Sequence, residues 1–298
     1  MLKIEVPRDS DIHTVADFAE LLCLVTEDRV SSADTLQDHV RDNRGQISQN
    51  ELDDCYGHLR WRQAAFGGDY PFKIDPVRSV MEGVEQLTDG QKFYVFMLLA
   101  ANLPMLKQGK YKQLTDGFER AALTALRSMW SLKGISKAFG KNETDYVGAK
   151  WERLNKLGLD IGGRPQLSGK TFRERDTGDG GVDLVSWLQM DNFETENILS
   201  LLGQCACSRE EWSQKQTEIS RARLGHHLVP THPWAEAIFI PICFRNNHGR
   251  WAFAGDVASS VVVDRLRMAK FYDASVELAG LPVPAVVQEV LDYRRDLV

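Results

Sequence analysis

The chain of 298 residues has few cysteines and no long apolar run, and both absences narrow its class. Its five cysteines form no Cys-x-x-Cys pair, and their odd number argues against a disulfide framework, so we expect a cytosolic protein. The first residues lack the apolar core of a signal peptide. The longest apolar stretch, residues 93–106, contains Asn102 and Pro104 and is too short to span a bilayer, so we expect no membrane segment.

The chain also lacks an excess of positive charge. Its net charge is −6, so any contact with DNA must come from a local basic patch or from a partner subunit. No Gly-x-x-x-x-Gly-Lys-Ser/Thr loop, no dinucleotide-binding Gly-x-Gly-x-x-Gly and no Gly-x-Ser-x-Gly elbow is present. Work driven by ATP would therefore have to come from another chain.

The pattern of apolar residues changes near residue 145. Before that point, apolar residues at three- and four-residue steps predict helices at residues 15–25, 32–44, 48–62, 76–87, 90–106 and 114–139. After it, strand-like and helix-like segments alternate. We therefore predict an α+β protein with a helical domain at residues 1–144 and a second domain with a central mixed sheet at residues 145–298.

Two local features of the helical region bear on this prediction. The pentapeptide Gln-Leu-Thr-Asp-Gly occurs at residues 86–90 and again at 113–117, and each copy is placed to cap a following helix, through Thr88 or Asp89 and through Thr115 or Asp116. The basic clusters at residues 60–62 and 107–112 each contain an aromatic residue. They are either phosphate contacts or solvated faces.

Residues 175–215 carry the most informative motif of the chain. A turn that ends in paired glycines, which can adopt positive φ, precedes residues 182–187, whose β-branched and aromatic content is typical of a strand. Residues 198–202 are apolar at nearly every position, as expected of a strand covered on both faces. The pattern therefore predicts that Asp183 and Gln204 lie on neighbouring strands.

Together with an upstream helix, this order of elements resembles the PD-(D/E)XK restriction-endonuclease-like superfamily and its Mrr-like branch. In that fold a helix with a glutamate precedes a strand with an aspartate, and the next strand carries Glu-x-Lys or Gln-x-Lys before another helix. Here the helix predicted at residues 147–158 supplies Glu152, the first strand supplies Asp183 and the second supplies Gln204. The resemblance implies a nuclease domain at residues 145–298.

The second strand departs from the family at its lysine, because it reads Gln204-Cys205-Ala206. Alanine can neither position the attacking water nor neutralise phosphate charge. Lys215, on the helix predicted at residues 209–218, is the nearest replacement, since its long side chain can reach back toward the same pocket. A surface role is the alternative for Lys215.

The resemblance implies Mg²⁺ or Mn²⁺ as the cofactor. Phosphodiester hydrolysis needs a divalent cation held by hard oxygen ligands and relief of the charge that develops on the phosphate. Asp183 is the main carboxylate ligand, Gln204 a neutral oxygen ligand or an orienter of water, and Glu152 a second carboxylate. Acidic residues that compete with Glu152 are Glu143, Asp145 and Glu174.

Each site residue also has a purely structural interpretation. Asp-Gly-Gly turns are common in hairpins, Gln204 alone fits a hydrogen-bonded strand glutamine, and Glu152 alone fits a solvated helix carboxylate. Nearby, His226, His227 and His232 lack helix-face spacing and a further ligand for zinc. The alternative for this region is a phosphate-contacting rim formed by Arg221, Arg223, His226 and His227.

The sequence therefore predicts a metal-dependent nuclease that hydrolyses DNA phosphodiester bonds. The resemblance further implies the effector subunit of a bacterial antiphage defence complex, with a partner ATPase, helicase or sensor subunit. One alternative, favoured by Ala206, is a catalytically inactive nuclease-fold subunit that binds nucleic acid or scaffolds a partner. The other is a helical interaction protein whose C-terminal sheet is only structural.

Overall fold

A computed structural model describes residues 11–42, 45–75, 77–105, 111–130, 134–140, 144–173, 178, 180–257, 260–272 and 283–293. Its helices are α1 (Ile12–Val25), α2 (Ala33–Asp42), α3 (Gln49–Phe66), α4 (Asp89–Ala100), α5 (Tyr111–Met129), α6 (Lys150–Asp160), α7 (Trp212–Lys215), α8 (Arg221–Leu228), α9 (Arg265–Phe271) and α10 (Val283–Leu291). Its strands are β1 (Val30–Ser32), β2 (Phe72–Ile74), β3 (Val80–Gly83), β4 (Gly134–Ala138), β5 (Leu184–Leu188), β6 (Ser200–Cys205), β7 (Ala235–Phe239) and β8 (Val261–Val263). The protein therefore has the predicted mixed α+β class.

The chain divides into two compact units. Unit 1 comprises Met1–Gly117, Pro241–Ala254 and Asp264–Val298, and unit 2 comprises Phe118–Ile240 and Gly255–Val263. These units differ from the predicted segments 1–144 and 145–298. Unit 2 takes in β4 from the predicted helical segment, and the chain returns to unit 1 after Ile240. Local sequence patterns do not report such a return, because it depends on contacts between residues far apart in the chain.

Unit 1 is not purely helical, because it contains a three-stranded antiparallel sheet in the order β1-β3-β2. Its central strand lies inside residues 76–87, so the helix predicted there is wrong. Burial alternates along β3. Met81 and Gly83 are buried, whereas Val80 is half-buried and Glu82 is exposed. In so short a segment the period of a strand is easily mistaken for that of a helix.

The two copies of the pentapeptide adopt different structures. In the first, the Thr88 hydroxyl accepts from the N–H of Gln91 and the Gln91 side chain accepts from the N–H of Thr88, which forms a capping box at the start of α4. In the second, Thr115 lies inside α5 and its hydroxyl donates to the carbonyl oxygen of Tyr111, 3.0 Å away. The predicted cap at Thr115 or Asp116 is therefore wrong.

The core of unit 1 encloses four fully buried charged side chains, which we call the charge cluster: Asp17, Glu20, Arg62 and Arg265. Nη1 of Arg62 lies 2.7 Å from Asp17 Oδ1 and 2.9 Å from Glu20 Oε2, and Nη2 of Arg265 lies 2.8 Å from Asp17 Oδ2. The sequence pattern predicts that residues 60–62 either contact phosphate or form a solvated face. For Arg62 both interpretations are wrong, because its partners on α1 neutralise it inside the core.

Further hydrogen bonds complete the charge cluster. The hydroxyls of Tyr70 and Tyr94 donate to Glu20 Oε1 at 2.8 and 2.9 Å, and the amide of Asn102 donates to Asp17 Oδ2 at 3.1 Å. Burial, and then the charge of Glu20, raises the pKa of both tyrosines well above its usual value, so both stay protonated as donors. A buried charge is stable only when it is paired and hydrogen-bonded in this way.

Unit 2 is built on a five-stranded mixed sheet in the order β4-β5-β6-β7-β8. Strand β5 runs antiparallel to both β4 and β6, whereas β7 and β8 run parallel to β6. The predicted helix at residues 114–139 is correct for α5 but wrong after Met129, where the chain forms β4. The helix predicted at residues 147–158 is present as α6. The strands predicted at residues 182–187 and 198–202 are present as β5 and β6.

Helices α6 and α8 cover one face of this sheet. A buried apolar cluster joins Leu154 and Leu157 of α6, Leu224 and Leu228 of α8, and Val185, Trp187 and Leu202 of the strands. No helix in the described part of the chain is long and apolar enough to cross a membrane.

Candidate functional site

Asp183 stands immediately before β5 and links it to both neighbouring strands. Its carbonyl oxygen accepts from the N–H of Phe139 at 2.7 Å, its N–H donates to the carbonyl oxygen of Gly203 at 2.9 Å, and its carboxylate Oδ2 accepts from the N–H of Cys205 at 2.7 Å. The side chain is buried. The carboxylate is thus held at the end of the sheet beside the last residues of β6.

Gln204 lies at the same end, next to the residue whose N–H binds Asp183. Strand pairing sets Leu184 against Gly203, so Asp183 and Gln204 occupy the adjoining positions. The Gln204 side chain is 5% exposed, and its Oε1 has no hydrogen-bond partner among the described residues. An orphaned buried oxygen of this kind costs about 1–3 kcal/mol, which makes it a place where a cation or a water would be stabilised.

The glycines before Asp183 adopt the predicted positive φ, at 79° for Gly180 and 87° for Gly181. At Gly181 there is a second requirement, because a Cβ there would lie 2.6 Å from Cβ of Glu218. Gly180 has open space by comparison, with its nearest neighbour at 3.8 Å. The turn therefore needs glycine both for its conformation and for its close approach to the segment after α7.

Lys215 is the last residue of α7 and is half-buried. Burial, and then the charges of Asp183 and Glu119, raises the pKa of the Cys205 thiol, while the positive charge of Lys215 acts in the opposite direction. Lys215 acts in the same way on Cys207. Its ammonium group therefore lies within electrostatic range of the end of β6, where Ala206 itself is buried and bonded through its N–H to Phe239.

Glu119 is a carboxylate at this end of the sheet that the sequence interpretation missed. It lies on α5 and raises the pKa of Cys205 and of Cys207. A signal was present, because Glu119 precedes the buried Ala122 and Leu126 by three and seven residues and so borders the buried face of α5. Successive strand residues point to opposite faces, so the side chain of Cys205 lies across the sheet from that of Gln204.

The structure gives Glu152 a different position from the one predicted. Its carboxylate accepts from the N–H of Ala149 at 2.7 Å and so caps the start of its own helix. The residue of α6 that reaches the ends of the strands is the buried Arg153, which donates to the carbonyl oxygens of Phe139 and Gly140. The Glu152 carboxylate therefore caps a helix, and it does not have the predicted position of a metal ligand.

The residues that compete with Glu152 do not fill its place. The carboxylate of Asp145 accepts from the N–H of Ala138 at 2.9 Å and so fastens a turn beyond β4. Glu143 and Glu174 lie outside the described residues. Among the residues that are described, no three His, Cys, Asp or Glu side chains come close enough together to hold a metal ion.

The four residues of the predicted basic rim, Arg221, Arg223, His226 and His227, all lie on α8. Arg221 and Arg223 are exposed, and Arg223 lies 3.9 Å from Glu218. The rings of His226 and His227 are 3.8 Å apart, and partial burial, His226 and then Lys150 lower the pKa of His227. Arg221 and Arg223 carry permanent positive charge on this helix.

Comparisons with known proteins returned no match to a family model, to a curated protein or to a solved structure. The chemistry of the site therefore stands on its residues. Asp183 and Gln204 offer oxygen ligands at one point of the sheet, and such hard oxygens suit Mg²⁺ or Mn²⁺. Lys215 offers a positive charge near the same strand end.

Proposed function

We propose that unit 2 is a metal-dependent nuclease that hydrolyses DNA phosphodiester bonds. The observation that carries the proposal is the buried, unpartnered Oε1 of Gln204 beside the anchored carboxylate of Asp183. The order of a helix, a strand with Asp183, a strand with Gln204 and a further helix is also the order that the resemblance to the PD-(D/E)XK superfamily implies.

The proposed roles follow from the position of each group. Asp183 and Gln204 would hold Mg²⁺, which when bound polarises a phosphoryl oxygen and lowers the pKa of a water. Gln204 directs its amide oxygen from within the sheet, so it holds its ligand without much freedom to move. Lys215 offsets the charge that develops on the phosphate, and the exposed Arg221 and Arg223 attract the DNA backbone.

The defence role is part of the same proposal. The chain has no nucleotide-binding motif, so any ATP-driven step needs another subunit, and we propose an ATPase, helicase or sensor in a bacterial antiphage complex, as the resemblance implies. The net charge of −6 supports this arrangement, because an overall negative charge slows the encounter with free DNA and a partner that delivers DNA offsets this.

A second candidate function is an inactive nuclease-fold subunit that binds nucleic acid or scaffolds a partner. Two observations favour it. Ala206 stands at the position of the family's lysine, and Oδ2 of Asp183 is already used by the N–H of Cys205. In this case the end of β6 is a structural junction, and the wild-type protein would bind DNA without cutting it.

Plasmid cleavage with Mg²⁺ and with Mn²⁺ separates the two. Asp183→Asn keeps an oxygen that can accept from Cys205 but removes the charge, so we expect an intact fold and a loss of cleavage of about 100-fold or more. Lys215→Ala should reduce cleavage by about 10-fold or more, while Lys170→Ala, an exposed lysine of the same unit, leaves it unchanged. Glu152→Gln should also leave cleavage unchanged.

The result that contradicts the nuclease proposal is wild-type activity in Asp183→Asn. A wild-type protein that binds a DNA duplex but cuts it with neither metal, alone or with a partner added, establishes the second candidate instead.

A further inference from the structure

One end of unit 2 exposes a group of large apolar side chains, which we call the apolar end: Leu159, Met190, Phe193 and Val229. Phe193 is 96% exposed and Met190 is 68% exposed. Single exposed apolar residues are ordinary on a protein surface, but a group on neighbouring segments marks an interaction site.

Hydrogen bonds join the three segments that carry these residues. The N–H of Arg164, after α6, donates to the carbonyl oxygen of Val229 at 3.0 Å. The N–H of Asn197, in the connection from β5 to β6, donates to Oγ1 of Thr231 at 2.8 Å, and Thr231 donates to the carbonyl oxygen of Gly162. The ends of α6 and α8 and the β5–β6 connection are therefore held together at one end of unit 2.

The turn that presents Phe193 is held by its own side chains. Oδ1 of Asp191 accepts from the N–H groups of Phe193 and Glu194, at 2.7 and 2.8 Å. Oε1 of Glu194 accepts in turn from the N–H of Glu196 at 2.9 Å. Asx turns of this kind fix the backbone locally, so Phe193 is directed outward by a defined conformation.

The apolar end is remote from the candidate functional site within the sheet. Asp183 and Gln204 lie where β5 begins and β6 ends, and the apolar end lies where β5 ends and β6 begins. A partner bound at the apolar end would leave the candidate site uncovered.

We propose that the apolar end docks a partner protein whose surface has an apolar centre surrounded by lysine or arginine. The apolar centre follows from the exposed side chains, and the basic surround follows from the acidic residues beside them. Asp191 and Glu194 flank Phe193. Glu196, a third carboxylate nearby, is paired with Arg164, whose Nε lies 2.7 Å from Glu196 Oε1. The proposal holds whether or not unit 2 cuts DNA.

The same charges argue against other occupants. Nucleic acid and anionic lipid both carry phosphates, which Asp191 and Glu194 repel. A second copy of this chain would set like-charged turns against each other unless its symmetry brought Arg164 across. A protein with a basic rim meets the apolar and the acidic parts of the surface together.

A library of random peptides displayed on phage, selected on the full chain, tests this directly. We expect enriched peptides with Phe, Trp or Leu flanked by Lys or Arg. Their affinity, measured by fluorescence anisotropy, should fall about tenfold or more in the double variant Phe193→Ser with Met190→Ser, because exposed anchors of this size dominate such interfaces. Val147→Ser, which removes another exposed apolar side chain of unit 2, should leave the affinity unchanged.

A charge variant tests the basic rim separately. Glu194→Gln removes the charge but keeps an oxygen for the N–H of Glu196. The affinity of a selected basic peptide should fall a few-fold in this variant and fall further as salt rises, because rim charges are screened. All substituted side chains are exposed or retain their hydrogen bond, so thermal unfolding should match the wild type.

Three results would overturn the proposal. In the first, no peptide is enriched, or the enriched peptides bind the double variant as well as the wild type. In the second, the enriched peptides are acidic. In the third, sedimentation shows that the chain self-associates and that the double variant is monomeric, so that a second copy is the occupant.

Discussion

In unit 1 the buried charges of Asp17, Glu20, Arg62 and Arg265 satisfy one another, whereas in unit 2 the buried Oε1 of Gln204 has no partner among the described residues. The fully charged site is the structural one, and the neutral amide is the candidate for function. Burial of a polar group therefore does not indicate function by itself. What distinguishes the two regions is whether the surrounding side chains complete the hydrogen bonds.

The largest expected effect comes from breaking the charge cluster. Arg265→Met leaves Asp17 and Glu20 buried with Arg62 as their remaining guanidinium partner, and should lower the free energy of unfolding by about 3–5 kcal/mol. Urea denaturation measures it. Arg267→Met, on the same helix with its guanidinium over the Trp251 ring, is the matched control, with an expected loss of about 1 kcal/mol or less. Equal losses in the two variants would mean that the charge cluster contributes little.

The glycine turn before Asp183 gives the next effect. Gly181→Ala combines a positive φ with a Cβ at 2.6 Å from Glu218, so it should lower the free energy of unfolding by about 2–4 kcal/mol. Gly180→Ala meets the conformational strain alone and should lower it by about 1 kcal/mol. If the two variants are equally stable, the approach of Glu218 does not constrain the turn.

His58 connects the core of unit 1 to pH. It is buried and stacked on Trp61, and burial, followed by the charges of Arg62 and His13, lowers its pKa from 6.5 to about 2. The folded protein keeps His58 neutral while the unfolded chain takes up a proton, so stability from this group is present above pH 6.5 and is lost as pH falls toward 2. His58→Phe should remove about 1.4 kcal/mol per pH unit of this dependence below pH 6, as measured by urea denaturation at pH 6 and pH 5. An unchanged pH dependence in the variant would show that His58 is protonated in the folded state.

Replacement of Gln204 should have the smallest effect on stability. Gln204→Leu removes an orphaned oxygen from the core, so the free energy of unfolding should change by less than about 1 kcal/mol or should rise. The same variant should lose any stabilisation by Mn²⁺, which a thermal melt with and without the ion would detect. A large loss of stability without metal would mean that Oε1 has a partner in the folded protein.

The fold could be predicted where the chain is locally consistent. Helix α3 begins after a capping box between Ser48 and Glu51, and β5 and β6 have the apolar content of buried strands. The errors arose where distant contacts decide. Short β3 pairs on both sides within its sheet, and Arg62 finds Asp17 forty-five residues earlier in the chain. No local pattern contains either contact.

The candidate site could also be predicted in part from the sequence. The pairing of Asp183 with Gln204 follows from a hairpin whose two strands are both evident in the sequence. The placement of Glu119 depends on how α5 packs on the sheet, which the spacing of its apolar residues indicates but does not specify. For Glu152 the sequence did contain the relevant signal, because a glutamate in the first turn of a helix can accept a hydrogen bond from the backbone N–H at the start of that helix.

The position of Arg265 has a consequence for synthesis on the ribosome. Asp17 is translated 248 residues before the guanidinium that neutralises it, and every strand of unit 2 is translated in between. During most of its elongation, a nascent chain therefore carries Asp17 and Glu20 without Arg265. The charge cluster of unit 1 can be completed only after the strands of unit 2 have been synthesised. Premature termination before α9 would leave the earlier helices without their last counter-ion and open to proteolysis.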